Sequence, residues 1–190
     1  MKESYGTRQD EDLVRECIEG SDDAWSFLFD KYRNMIFSIP LKYGMSGDEA
    51  SEILQEVFLK LLSELPRLRE PRALPAWLMR ITANECCHLI KKQRRLFSVQ
   101  VETGIGELTA APEAGNTILE EVRQEQLLRD TIADQAPRCR RLIEMLFFSS
   151  PVVPYERVAA LLGVAKGSIG FIRMRCLERL RRRLQERGVR

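Results

Sequence analysis

The chain has 190 residues, of which 44% are hydrophobic and 31% charged, the composition of a globular protein with room for one ordinary domain or two small ones, and this excludes disorder throughout. A net charge of +2 conceals a segregation: residues 1–30 carry three basic side chains against nine acidic ones, and residues 166–190 carry nine against two, so the two ends suit different partners. The five cysteines (Cys17, Cys86, Cys87, Cys139 and Cys176) form neither a Cys-x-x-Cys pair nor a His-bearing zinc spacing, which points to reduced thiols in a cytosolic protein.

Before residue 96, apolar residues recur at helical spacing in four stretches, with no persuasive alternating strand. "DEDLVRECIEG" places Leu13, Val14, Cys17 and Ile18 on one side of a short helix that Gly20 ends. "SDDAWSFLFDKYRNMIFSI" is capped by Ser21 or Asp22 and runs to Pro40, where a kink is expected. A third helix begins after Gly47 and stops before Pro66. A fourth, "LPAWLMRITANECCHLIKKQRR", finishes in a basic turn that favours a helix C-terminus.

Between Ser98 and Gly115 the periodicity fails: three glycines, Pro112, three glutamates and no basic residue describe a linker. Its eighteen residues reach at most ~60 Å, more than the ~34 Å of one DNA turn. Helical spacing then returns in "NTILEEVRQEQLLRDTIADQ", in "RCRRLIEMLFFSS" after Pro137, and from Tyr155 onward. Neither export nor membrane insertion is expected, because no leader-like segment opens the chain and Glu144 interrupts "LIEMLFF", far short of the ~20 apolar residues of a span. The expected fold is all-α: two small helical bundles, over 1–97 and 116–190, joined by a flexible linker over 98–115.

The last two helices meet the demands of a helix-turn-helix, with small Ala159 at the crossing, Gly163 in the turn, and Val158, Leu162, Val164, Ile169 and Ile172 as shared core. On the second helix, Ile169, Ile172, Cys176 and Leu180 share one face, and Gly167, Gly170, Phe171, Met174 and Glu178 lie opposite. Arg175, Arg179 and Arg182 flank that outer face. The small residues would let the helix start approach DNA closely, with the arginines neutralising phosphates on either side. Base reading would then fall to Lys166, Ser168 and Arg175, with Phe171 or Met174 on thymine methyls.

In "ASEILQEVFLKLLSEL" the expected buried stripe is Ile53, Leu54, Val57, Phe58, Leu61, Leu62 and Leu65. The opposite face carries Glu52, Gln55, Leu59 and Ser63, with Glu56 at its edge. An apolar Leu59 ringed by acidic and amide groups suits an interface with a basic protein.

Taken together, "SEILQEVFLKLL", "ALPAWLMRITANECCHLIKKQRR", "PRCRRLIEMLFF", "YERVAALLGV" and "GSIGFIRMRCLERLRRRL" resemble, over nearly the whole chain, a bacterial sigma factor of the extracytoplasmic-function group. The resemblance implies an N-terminal domain for the polymerase clamp and the minus-10 element, and a C-terminal domain for the minus-35 element. By position, Glu52, Gln55 and Glu56 match the family's polymerase contact, with Glu52 where Asp is usual, and Leu59 shares their face. The loop Pro66 to Arg72 matches the segment that cradles a flipped base, where Arg67, Arg69 and Arg72 would hold single-stranded phosphates. Trp77 and Asn84 match a family pattern in which the indole is core. Lys91, Lys92, Arg94 and Arg95 match the basic end of the minus-10 helix. The minus-35 set comprises Lys166, Gly167, Ser168, Gly170, Phe171, Met174, Arg175 and Arg179.

Two departures, His88 where the family usually has Asp and the weakly polar "GSIGFI", bear on promoter sequence. The partners implied are core RNA polymerase, promoter DNA and, as often in this group, an anti-sigma protein. The implied protein is cytoplasmic and has no cofactor, metal or chemistry of its own. A free-standing helix-turn-helix regulator is the alternative, and it leaves the first domain's Gln55 face and basic loop unexplained.

Overall fold

The computed structural model describes residues 9–98, 112–151 and 153–188, the side chains of 94–98 and 112–115 excepted. These residues form eight α-helices and no strand, and none of the helices is long and apolar enough to cross a membrane. They divide into two compact units, Arg8–Arg123 and one built on Gln124–Arg190.

The first unit holds α1 (Asp10–Ile18), α2 (Asp22–Lys42), α3 (Gly47–Glu64) and α4 (Leu74–Ser98). Its core takes Leu13, Val14 and Cys17 from α1, Leu28, Tyr32, Met35, Ile36 and Ile39 from α2, Ile53, Val57 and Leu61 from α3, and Leu74, Leu78 and Cys86 from α4. Ile18, expected in that set, is 51% exposed, because it stands at the border of the stripe formed by Leu13, Val14 and Cys17. Ser21 caps α2 by accepting from the Ala24 amide at 3.3 Å, and the helix runs through buried Pro40 to Lys42, two residues past the expected end. Pro40 has no N–H to give the Ile36 carbonyl, so this last stretch of the helix forgoes one helical bond.

Polar ties fix α1 on α2. The buried Tyr32 hydroxyl donates to Asp10 Oδ1 at 2.7 Å, Lys31 Nζ sits 2.8 Å from the same oxygen, and Trp25 Nε1 donates to the Cys17 carbonyl at 3.2 Å. Helix α3 opens on a capping box in which Ser46 Oγ accepts from the Glu49 amide and Glu49 Oε2 accepts from the Ser46 amide. Gln93 Nε2 donates to the other Glu49 oxygen at 2.5 Å, tying the start of α3 to the end of α4. These bonds, the Ser46 amide first, hold the Glu49 carboxyl below its ordinary range. A lowered carboxylate contributes stability above its unfolded value and loses it as pH falls through the lowered one, so this tie weakens only in acid.

Helix α5 spans Pro112–Ala133, so it begins within the last four residues of the stretch read as a linker; residues 99–111 of that stretch lie outside the described ones. Leu119 and Val122 of α5 join the first core, while Leu128 and Ile132 belong to the second.

The second unit continues with α6 (Pro137–Ile143), a single π turn over Glu144–Phe148, α7 (Tyr155–Leu162), a 3-10 turn over Lys166–Ser168 and α8 (Ile169–Glu186). Its core is Ile132, Cys139, Leu142, Ile143, Val158, Ala159, Ile169, Cys176 and Leu180. Helix α7 ends on Gly163 at φ +64°, with the Val164 amide donating to the Ala159 carbonyl and the Gly163 amide to that of Ala160. This Schellman closure turns the chain sharply toward α8. Gly163→Ala is therefore expected to destabilise the second unit by about 1 kcal/mol, the cost of a left-handed alanine, read as a lower unfolding midpoint.

The expectation of five reduced thiols is corrected here: Cys139 and Cys176 form a disulfide, with Cα atoms 5.4 Å apart, while Cys17, Cys86 and Cys87 are free. The pair is separated by 37 residues, so no local spacing announces it. Each cysteine occupies a core position of its own helix, and packing α6 on α8 brings the two together. Burial, the first cause in each case, pushes the Cys17 thiol up to about 11 and that of Cys86 up to about 12.

Candidate functional site

Three surfaces carry the residues singled out by sequence. On α3 the buried row is Ile53, Val57 and Leu61, continued by Leu65 in a 3-10 turn (Leu65–Arg67). Glu52, Gln55, Glu56 and Leu59 are all exposed. Leu62, expected in the core, is 52% exposed and Leu59 60%. The reason is angular: the buried row steps by four residues, whereas Glu52, Gln55, Leu59 and Leu62 step by three and four within an arc of about 80°. Two leucines thus stand uncovered beside an acid and an amide. Lys60 reaches Glu85 of α4 at 2.5 Å, which fixes the helix presenting them.

The second surface begins after α3. A second 3-10 turn, Pro71–Ala73, leads into α4. Arg67, Arg69 and Arg72 are exposed, but two of them are engaged: Arg67 Nη1 lies 3.3 Å from Glu64, and Arg72 Nε donates to Glu11 of α1 at 2.6 Å. Exposed pairs of this kind are worth at most ~1 kcal/mol, so either guanidinium can be released to a phosphate at small cost. Trp77 is half-buried against the core and lines a shallow pocket with Leu61, Glu64, Leu65 and Leu68.

Along α4, Asn84, His88, Lys91 and Lys92 are exposed, as is Arg80. Arg80 was not singled out by sequence. It lies four residues before Asn84 and eight before His88, so Arg80, Asn84, His88 and Lys91 make one polar, basic stripe. Helical spacing from Asn84 was the signal that could have found it. Arg94 and Arg95 lie in the helical backbone of α4, with side chains outside the described ones.

The third surface is the outer face of α8 and the turn before it. Lys166, Gly167 and Ser168 form the 3-10 turn, so α8 starts at Ile169 rather than at Gly167. All three are exposed, as are Gly170, Phe171, Met174 and Arg175, and Arg179 is half-buried. Lys166 forms an ion pair with Glu156 of α7, which holds the Glu156 carboxyl below its ordinary range. The Arg175 guanidinium lies over the Phe171 ring, 5.6 Å from its centroid, and Arg173 Nη1 donates to the Tyr155 hydroxyl at 3.0 Å.

The arginine-rich end of α8 divides by task. Arg183 Nη1 donates to the Asp134 carbonyl at 2.6 Å. Arg187 reaches the Asp134 carboxylate at 2.5 Å and Thr131 Oγ1 at 3.1 Å. These two hold the helix on its own bundle, leaving Arg175, Arg179 and the exposed Arg181 and Arg182 further out. A Cβ added at Gly167 or Gly170 would meet nothing within 4 Å. The fold therefore has no steric need for glycine at either position, although glycine inside a helix costs roughly 0.5–1 kcal/mol relative to alanine. Gly170→Ala is accordingly expected to raise the unfolding midpoint of the second unit, and a lowered midpoint in a thermal melt would show a backbone requirement instead.

A family model described as sigma-70 region 2 matches residues 28–96, the segment that contains the first two surfaces. The RNA polymerase sigma-H factor of Pseudomonas aeruginosa is 30% identical over 125 residues, covering 65% of this chain and 64% of that one. The ECF RNA polymerase sigma-E factor of Escherichia coli K12 is 27% identical over 169 residues, 84% of this chain and 86% of that one. A solved structure of CnrH in complex with the cytosolic domain of CnrY aligns over 93% of this chain and 97% of that chain, at 18% identity and a TM-score of 0.40. The chain belongs to the sigma-70 family of RNA polymerase sigma factors, of the extracytoplasmic-function type.

Proposed function

We propose that the protein is a promoter-specificity subunit that joins core RNA polymerase, directs it to particular promoters and helps to open them. The family is a non-catalytic one that acts in the cytoplasm on RNA polymerase, and in this reading the present chain does the same, with no reaction and no cofactor of its own. The observation that carries it is the uncovered stripe Glu52, Gln55, Leu59 and Leu62 on a helix inside the region-2 match. Such a mixture of acid, amide and apolar side chains, presented on a rigid helix, suits a partner with a basic rim and an apolar centre. Glu56 borders it. A free-standing regulator would have no use for this face, and for that reason we do not favour it.

The remaining surfaces take the DNA. Exposed Arg67, Arg69 and Arg72 precede the Trp77 pocket, and the stripe Arg80, Asn84, His88, Lys91 and Lys92 extends from it; a cationic track beside an aromatic and apolar recess is the general equipment for single-stranded DNA. Arg94 and Arg95 prolong the track in sequence. In the second unit, Gly167, Ser168 and Gly170 leave the surface at the start of α8 bare of bulky side chains, so that a DNA backbone can approach it closely. Lys166, Phe171, Met174, Arg175 and Arg179 surround that end and supply charge and apolar contact in a duplex groove. An anti-sigma protein would regulate the subunit by covering one of these faces.

Mixing the full-length chain with core polymerase and following co-elution tests the reading, and a chain that elutes alone would overturn it. The minus-35 assignment has its own check. Arg175→Ala is expected to lower the slope of log affinity against log salt by about one unit, the loss of one phosphate contact. An unchanged slope with a switched base preference would make Arg175 a reader of sequence.

A further inference from the structure

The second unit carries a covalent tie that its DNA-binding role does not require. Cys139 on α6 is 8% exposed and Cys176 on α8 is 2% exposed, and their disulfide closes a loop containing the π turn, all of α7, the Gly163 turn and the first two turns of α8. The loop therefore holds the first helix of the helix-turn-helix, its turn and the start of the second. The rest of the core is small, with Ile132, Leu142, Ile143, Val158, Ala159, Ile169 and Leu180 as its other buried members, and a bundle of this size gains much from one cross-link. A persistent disulfide is nevertheless unusual in the compartment where sigma factors work, since cytosolic disulfides are mostly transient and redox-sensing.

We propose that Cys139 and Cys176 form a reversible thiol–disulfide switch that locks the helix-turn-helix of the second unit when oxidised and loosens it when reduced. The reductant is a low-molecular-weight thiol. Its thiolate attacks Sγ of Cys139, the less buried of the two, forming a mixed disulfide and releasing Cys176 as a thiolate, which takes up a proton. A second thiolate then attacks the small-molecule sulfur, leaving Cys139 as a thiolate that is protonated in turn. Two electrons pass to the protein disulfide, and two small thiols become one small disulfide; oxidation is the reverse.

The other cysteines do not compete. Cys17, Cys86 and Cys87 all belong to the first unit, and the raised values of Cys17 and Cys86 keep these two as unreactive thiols near neutral pH. Only Cys139 and Cys176 can pair within the second unit. Closing a loop of this length removes unfolded-chain entropy, so the linked form should unfold at a temperature higher by on the order of 10 °C.

The test uses the full chain equilibrated with oxidised or with reduced glutathione, and its thiol and melting readouts need neither DNA nor polymerase, so they stand apart from the proposed function. Peptide mapping after alkylation should find Cys139 joined to Cys176 in the oxidised sample, with Cys17, Cys86 and Cys87 unlinked. The second unit, followed by amide exchange over residues 155–184 during heating, should open at a lower temperature once reduced. Cys139→Ala should open at the reduced temperature in either buffer, and Cys87→Ser should respond like the parent. The parent comparison stands even if Cys139→Ala fails to fold. Absence of the linked peptide after oxidation, or equal opening temperatures for linked and reduced parent, would overturn the proposal.

Discussion

Changing Glu52→Lys together with Gln55→Ala is expected to abolish association with core RNA polymerase while leaving the fold intact. Both side chains are exposed, and neither belongs to the buried row Ile53, Val57 and Leu61. Surface substitutions of this kind usually fall within about 0.5 kcal/mol, so helical content and thermal unfolding should stay near the parent. Binding responds differently. Truncating a central contact can cost on the order of 2 kcal/mol, and a lysine set against a basic partner adds repulsion where there was attraction. An affinity lower by on the order of 100-fold would follow, enough to lose the complex in co-purification. Parental affinity in the double variant would make this face merely solvated and place the contact elsewhere.

The second large effect belongs to α4. Replacing Arg80, Lys91 and Lys92 by alanine removes three exposed cations from one side of the helix. Single-stranded DNA releases roughly 0.7 counterions for each phosphate neutralised, so three lost contacts should flatten the salt dependence of binding to a single-stranded minus-10 strand by about two units. The same variant should bind a minus-35 duplex as the parent does, because α8 is untouched. A salt slope equal to the parent's would show that these residues are only solvated.

Much of this was legible in sequence, and the misses share a cause. Helix starts and stops were largely readable because their signals are local: Ser21 as a cap, Pro66 beyond α3, and Gly163 in the turn after α7, whereas the Ser46 cap of α3 was passed over and that helix was expected to begin after Gly47. The exposure of Leu59 could be read because a leucine among Glu52, Gln55 and Ser63 breaks the pattern. Leu62 could not, since a residue at the border of a helical stripe is covered or bare according to where the neighbouring helix runs, and only tertiary packing decides that. Ile18 failed for the same reason.

Pairings were harder still. That Arg72 rests on Glu11, Lys166 on Glu156 and Arg183 on the Asp134 carbonyl depends on which elements meet. Composition made every arginine near the C-terminus look alike, and distance separates Arg183 and Arg187, which hold α8 in place, from Arg175 and Arg179, which do not share that task. The disulfide is the extreme case, two core positions on α6 and α8 whose side chains meet only because the helices pack.

The central claim is that this chain gives core polymerase its choice of promoter. Transcription by core RNA polymerase on a promoter library, with and without the protein, measures that directly. The account requires a set of start sites that appears only when the protein is present, and that disappears again with Glu52→Lys and Gln55→Ala. A start-site profile unchanged by adding the protein would contradict it.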